Sequence, residues 1–191
     1  MVGPESTGKT TLARHLAAAY GAPWSPEGAR AYAEARLAHG NRQPLGAGDV
    51  GPIAHAQVAL EDAAAEAAEA AGAPLVVRDT DLVSTVVYAR QHYGACPAWV
   101  ERAARARRAA LYLLCDVDLA WAPDPVRDAR SADPAERTRV RGAFRTTLAE
   151  FGCRYVEVRG DGAARERAAR DAVDTLLSER SERRPAPSPS L

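Results

Sequence analysis

Gly3-Pro4-Glu5-Ser6-Thr7-Gly8-Lys9-Thr10 is the stretch on which the fold of this chain turns. Its spacing, G-x-x-x-x-G-K-[ST], is that of a phosphate-binding loop, in which the glycines let the backbone curl until its N–H groups converge on a triphosphate. In that arrangement Lys9 reaches the β- and γ-phosphates and the Thr10 hydroxyl is a ligand for Mg²⁺. Gly3, Glu5, Ser6, Thr7, Gly8, Lys9, Thr10 and Thr11 are the expected nucleotide-binding residues, and ATP and Mg²⁺ the expected cofactors. Lys9 is the only lysine in the chain. In an arginine-biased sequence it stands at the one position where a compact, flexible ammonium is wanted.

The competing reading is a glycine-rich turn that merely caps a helix. The context favours the phosphate loop, because Leu12, Leu16 and Tyr20 share one face of a following helix that Gly21 stops. That helix directs the positive end of its dipole at the same anion. A phosphate loop hangs from a buried apolar strand, and here only Met1 and Val2 precede it. The expectation is a first strand largely missing, from a chain that starts late or continues upstream, with a Val/Ile-rich extension restoring stability.

The chain has 191 residues, enough for one α/β domain with a full core and short for two. Its formal net charge is zero, which leaves no basic footprint for nucleic acid. No apolar run reaches the length of a membrane span, and no secretory signal precedes the loop. Cys96, Cys115 and Cys153 are odd in number and lack metal-ligand spacing, so a reduced, cytoplasmic protein is expected. His15, His39, His55 and His92 are scattered and read as surface or packing residues.

Strand-length apolar runs alternate with helical periodicity, the pattern of a parallel sheet covered by helices. Strands are expected near 21–24, 75–77, 110–115 and 155–158. Helices are expected over 26–37, 53–71, from Leu82 to Gly94, from Pro97, from Asp133 to Gly152, and around Ala169, Val173, Leu176 and Leu177. Asp62, Glu66 and Glu69 read as a solvated stripe, and residues 38–52 as a long loop. The kinase-sized domain is expected over 1–178, with a lid at about 121–137 and a disordered tail over 179–191.

Strand–loop–helix units put ligand groups at the carboxyl ends of strands. Asp79 and Asp81 follow Leu75-Val76-Val77 at such an end. An acid there holds Mg²⁺ or takes the proton of an attacking hydroxyl, and a helix cap is the competing role. Spacing does not say which of the two is the base. Residues 121–130, with Arg127 and Arg130, read as a lid whose arginines offset charge on the γ-phosphate. Trp121, Trp24 and Tyr32 are candidates for stacking on a flat ring.

Taken together, Gly3 to Leu12, Pro26-Glu27 with Arg30, Gln57 to Asp62, Asp79-Thr80-Asp81-Leu82 with Thr85 and Tyr88, Tyr93-Gly94 with Cys96-Pro97, Leu113 to Asp116, Trp121 with Asp124 and Arg127, Tyr155-Val156 and Gly160-Asp161 carry a resemblance. The chain resembles the ribosylnicotinamide kinase domain of NadR-type proteins, a group of AAA-labelled phosphate-loop ATPases, from Met1 to about Leu177. The resemblance implies a P-loop NTPase fold with a parallel five-stranded sheet flanked by helices. It implies ATP-dependent phosphorylation of the 5′-hydroxyl of nicotinamide riboside, giving nicotinamide mononucleotide. By carry-over, Lys9, Asp79, Asp81 and Arg127 are catalytic, with Thr10 and Asp79 at the metal. Glu27, Arg30, Trp121 and Asp124 lie around the nucleoside, and Arg127 and Arg130 reach the phosphates. The adenylyltransferase domain of the bifunctional proteins is absent from the sequence, and residues 38–52 match no pattern of the group. A kinase for another nucleoside and a regulatory ATPase without a small-molecule substrate are the alternatives.

Overall fold

The computed structural model describes residues 1–122 and 132–182. Strand β1 (Trp24–Ser25) pairs in parallel with β2 (Val77–Arg78), and β3 (Tyr112–Cys115) with β4 (Tyr155–Val158). Met1 and Val2 join the two pairs. On one side Met1 N donates to Arg78 O (2.5 Å), and Thr80 N donates to Met1 O (3.0 Å). On the other, Val2 N donates to Leu113 O (3.0 Å), and Cys115 N donates to Val2 O (2.9 Å). The strand expected to be largely missing is thus represented by two residues in the central position of a parallel sheet.

Helices cover both faces. Helices α1 (Lys9–Tyr20) and α7 (Gly162–Glu182) lie on one; α3 (Val50–Ala71), α4 (Leu82–Tyr93), α5 (Ala98–Ala106) and α6 (Pro134–Glu150) supply the core of the other. A strand buried on both faces must be apolar throughout, and β3 is. Leu113 and Cys115 point to the core with Leu12, Leu16 and Ala169, whereas Tyr112 and Leu114 point to the core with Val86, Phe144 and Leu148. Val2 faces Leu114 across the ladder and is 1% exposed in that second core.

The expected helix stops hold: Gly21, Gly72 and Gly94 cap α1, α3 and α4 in left-handed conformations. Asp133 caps α6 through Ala135 N (2.9 Å), with Pro134 at the first position.

Several boundaries differ from expectation, among them the strands, which lie at 24–25, 77–78 and 112–115 and not at 21–24, 75–77 and 110–115. Helix α3 begins at Val50, because Pro52 falls in the first turn, where a missing N–H costs nothing. The loop after α2 (Gly28–Ala38) is correspondingly shorter, and Asp49 pins it by accepting from Tyr32 Oη (2.8 Å), Arg36 Nη1 (3.0 Å) and Gly46 N (2.8 Å). Helix α7 continues to Glu182, past the expected start of the tail, with Arg154 paired to Glu179 at 2.5 Å. The stripe of Asp62, Glu66 and Glu69 is exposed as expected, but Asp62 is ion-paired to Arg107, and the neighbouring Glu61 is fully buried.

The central stub makes a testable demand on stability. Val2→Ala removes two fully buried methyl groups at the junction of the sheet halves and is expected to cost about 1.5–3 kcal/mol. Urea unfolding reads this directly, and a loss below about 0.5 kcal/mol, the usual range for surface changes, contradicts the packing described.

Candidate active site

The loop leaves Val2 and turns at once. Gly3 has φ +138°, and a Cβ there would stand 2.8 Å from Cys115 O, so only glycine lets the chain pass β3. Ser6 is left-handed at φ 54°, and Gly8, at φ 75°, is the residue from which α1 starts. The curl is held from within by Thr7 Oγ1, which donates to Pro4 O (2.8 Å). Lys9 Nζ donates to the same carbonyl (2.7 Å). Lys9 is only 7% exposed and makes no ion pair among the described residues. A buried ammonium with only a carbonyl for company is a site prepared for an anion. Thr10 is half-buried and Thr11 exposed in the first turn of α1, and Glu5 keeps Oε2 buried without a hydrogen-bond partner.

Two buried arginines grip the loop from outside. Arg165 of α7 donates to Thr7 O (2.8 Å) and Gly160 O (2.9 Å) and is ion-paired to Asp118. Arg137 of α6 donates through Nη2 to Ser6 O (3.3 Å) and Leu119 O (3.1 Å). Burial pulls the Arg137 guanidinium below the usual arginine range. Sequence reasoning passed over both residues. The signal was periodicity: Arg137 continues the buried stripe of Val140, Phe144, Leu148 and Phe151 by one turn, and Arg165 begins the stripe of Ala169, Val173 and Leu176. An arginine on a core-facing stripe needs a partner inside the protein.

The structure separates the two aspartates. Thr80 between them is left-handed at φ 68°, a strained setting for a β-branched residue, with its N–H tied to Met1 O. Asp81 caps α4 by accepting from Val83 N (2.9 Å) through Oδ1, and its Oδ2 accepts from Tyr112 Oη (2.7 Å). Both of its oxygens therefore serve the frame. Burial, with Asp81 alongside, pushes the Tyr112 hydroxyl well above the ordinary tyrosine range, so it remains a donor. Asp79 is 1% exposed, and its Oδ1 has no hydrogen-bond partner. Its N–H is bound to Ser25 O (2.9 Å), and the Ser25 hydroxyl is likewise buried and unsatisfied. Unsatisfied polar groups thus gather at the carboxyl ends of β1 and β2, beside the strand position that feeds the loop.

The remaining expected site residues divide. Glu27 is the residue before α2 and half-buried, with Arg30 Nε at 3.9 Å. Trp121 is half-buried and adjoins Ala122, whose carbonyl accepts from Ser6 Oγ (3.1 Å). Asp124, Arg127 and Arg130 lie outside the described residues. Trp24 and Tyr32 are already engaged: the Arg14 guanidinium lies 5.3 Å from the Trp24 ring centre, and the Tyr32 hydroxyl belongs to Asp49.

Beneath Asp79, Gln57 and Glu61 fix the wall formed by α3. Gln57 Oε1 accepts from Gly28 N (2.8 Å), and Gln57 Nε2 donates to Glu61 Oε1 (3.2 Å). A Cβ on Gly28 would stand 2.8 Å from the Gln57 backbone, so α2 and α3 meet there only through glycine. Burial pushes the Glu61 carboxyl up, while Arg78 (3.1 Å) and Arg107 (3.3 Å) pull the other way. This braces Arg78, and with it the neighbouring Asp79.

No three metal-ligating side chains converge among the described residues. The available oxygens are the Thr10 hydroxyl and Asp79 Oδ1, which has no hydrogen-bond partner. A small donor set of this kind suits Mg²⁺, which keeps several waters and takes phosphate oxygens. Among the described residues no helix is long and apolar enough to cross a membrane.

Comparison with known proteins agrees with this geometry. The sequence pattern of the AAA domain matches residues 1–165. A comparison with curated proteins finds no match. Among solved structures, a crystal structure of NadR protein in complex with NR superposes with a TM-score of 0.70 at 26% identity, over 92% of this chain and 49% of that one. The chain therefore spans about half the length of that relative. With its phosphate loop on a parallel sheet and a family match over most of its length, the chain belongs to the AAA domain family and has a P-loop NTPase fold.

Proposed function

We propose that the chain is an ATP-dependent kinase that transfers the γ-phosphoryl group to the 5′-hydroxyl of nicotinamide riboside, forming nicotinamide mononucleotide and ADP. The observation that carries the reading is a buried, anion-ready Lys9 on the loop together with a buried Asp79, whose Oδ1 has no hydrogen-bond partner, at the carboxyl end of β2. A phosphate cradle alone fits any nucleotide binder. A carboxylate with one oxygen open to a new hydrogen bond supplies what transfer to a hydroxyl needs. The likeness to NadR protein bound to NR, read as nicotinamide riboside, supports that nucleoside as the acceptor.

In this reading Lys9 exchanges the Pro4 carbonyl for phosphate oxygens, and the loop N–H groups and the α1 dipole hold the β-phosphate. Asp79 accepts the proton of the 5′-hydroxyl as its oxygen bonds to the γ-phosphorus, and the bond from that phosphorus to the β,γ-bridging oxygen breaks to leave ADP. Thr10 and Asp79 would hold Mg²⁺, which would supply positive charge to the phosphates. Asp81 holds α4 and Tyr112 in place and does not touch the reacting atoms. Glu27, Arg30, Trp121 and Asp124 are assigned to the acceptor, and Arg127 and Arg130 to the phosphates, by resemblance.

Two outcomes follow. ADP release from ATP and Mg²⁺ is expected to depend on nicotinamide riboside and to vanish in Lys9→Ala; riboside-independent release points to a regulatory ATPase, and dependence on a different nucleoside reassigns the acceptor. Asp79→Asn is expected to lower kcat by about 10²- to 10⁴-fold with little change in melting temperature. Asp81→Asn is expected instead to lower the melting temperature while retaining more activity, and the reverse pattern contradicts the assignment.

A further inference from the structure

Lys9, Arg137 and Arg165 are the three buried cationic side chains around the loop, and they are not equivalent. Arg165 is 3% exposed and is ion-paired to Asp118, which also accepts from Gly160 N (2.6 Å). Its charge is answered within the protein. Arg137 is 6% exposed and makes no ion pair among the described residues. Its Nη2 is spent on the two carbonyls of Ser6 and Leu119, and its Nε is buried with no hydrogen-bond partner. Asp118, the carboxylate whose field it feels, is committed to Arg165.

Burying a guanidinium without a counter-ion is unfavourable, and natural proteins pair such groups or leave them for a ligand. The position identifies the ligand. Arg137 is bonded to Ser6, in the crown of the phosphate loop, and to Leu119, whose side chain would stand 3.1 Å from a Cβ on Gly8. These two bonds hold the guanidinium against the loop that would seat the anion.

We propose that Arg137 is a phosphate-binding residue: its uncompensated guanidinium, fixed by the first turn of α6, receives a phosphate oxygen of the triphosphate held by Lys9. The proposal rests on the reading that the loop binds ATP and adds a cation that neither the loop motif nor the resemblance assigns. Arginine suits the role, because its rigid fork keeps Nη2 on the loop carbonyls while another N–H faces the anion. Arg137 thereby ties α6, the segment after β3 and the loop to the presence of phosphate.

Titration calorimetry with ATP and with inorganic tripolyphosphate, alongside melting temperatures without ligand, tests this in the full chain. Arg137→Gln retains an N–H donor for the carbonyls but not the charge, and is expected to weaken both ligands by about 10- to 100-fold. Arg137→Lys, which keeps the charge, is expected to recover part of that loss. A glutamine variant that folds and binds tripolyphosphate within about twofold of the parent overturns the proposal, as does a lysine variant no better than glutamine. Lys9→Ala separates this from the underlying reading: if the parent binds neither ligand, the loop reading fails as well. Should the glutamine variant not fold, the ¹⁵Nε–H resonance of Arg137 in the unaltered chain decides, identified by its loss in Arg137→Lys. A shift of that resonance on saturation with tripolyphosphate supports the contact, and an unmoved resonance overturns it.

Discussion

The four main-chain hydrogen bonds of Met1 and Val2 hold this structure together. They are the hydrogen-bonded seam between the two strand pairs, and they fix three functional features at once. The phosphate loop starts one residue beyond the seam. Asp79 and Thr80 are aligned by its left edge, and Cys115, against which Gly3 turns, by its right. Parallel strands gain their stability from burial on both faces. Val2 bridges Leu114 and is buried with it in the larger core, which anchors the central member.

Around that seam the protein sorts its buried charges into two classes. Glu61 stands between Arg78 and Arg107, and Asp118 answers Arg165. These pairs hold α3, β2 and α7 in register, and removing one partner of such a pair leaves a charge stranded in low dielectric. Lys9 and Arg137 make no ion pair among the described residues, and Asp79 Oδ1 has no hydrogen-bond partner. Two cations and one carboxylate left open at the carboxyl edge of a sheet match the needs of phosphoryl transfer, in which the protein positions groups and stabilises charge.

Much of this was legible in the sequence. The loop motif, the fully apolar β3 and the glycines closing α1, α3 and α4 follow from local rules that tertiary contacts did not override. The short β1 and β2 were harder, since two-residue strands leave no period to detect. Residues 39–49 were opaque because their order comes from Asp49 bonding to Tyr32 and Arg36 one helix away. Asp79 and Asp81 are indistinguishable by spacing. They part company through Val83 N, which Asp81 caps, and through Tyr112, a distant partner that occupies its second oxygen. Arg137 and Arg165 were readable as breaks in apolar stripes, a signal that becomes informative once the stripe is known to face the phosphate loop.

The central claim is that the site transfers phosphate to a nucleoside hydroxyl. ³¹P spectroscopy of ATP, Mg²⁺, nicotinamide riboside and the purified chain tests it most directly. The account predicts ADP together with a new phosphomonoester resonance coupled to the 5′ protons of the riboside. Inorganic phosphate as the only new species, or unchanged ATP in the presence of folded protein, would contradict it.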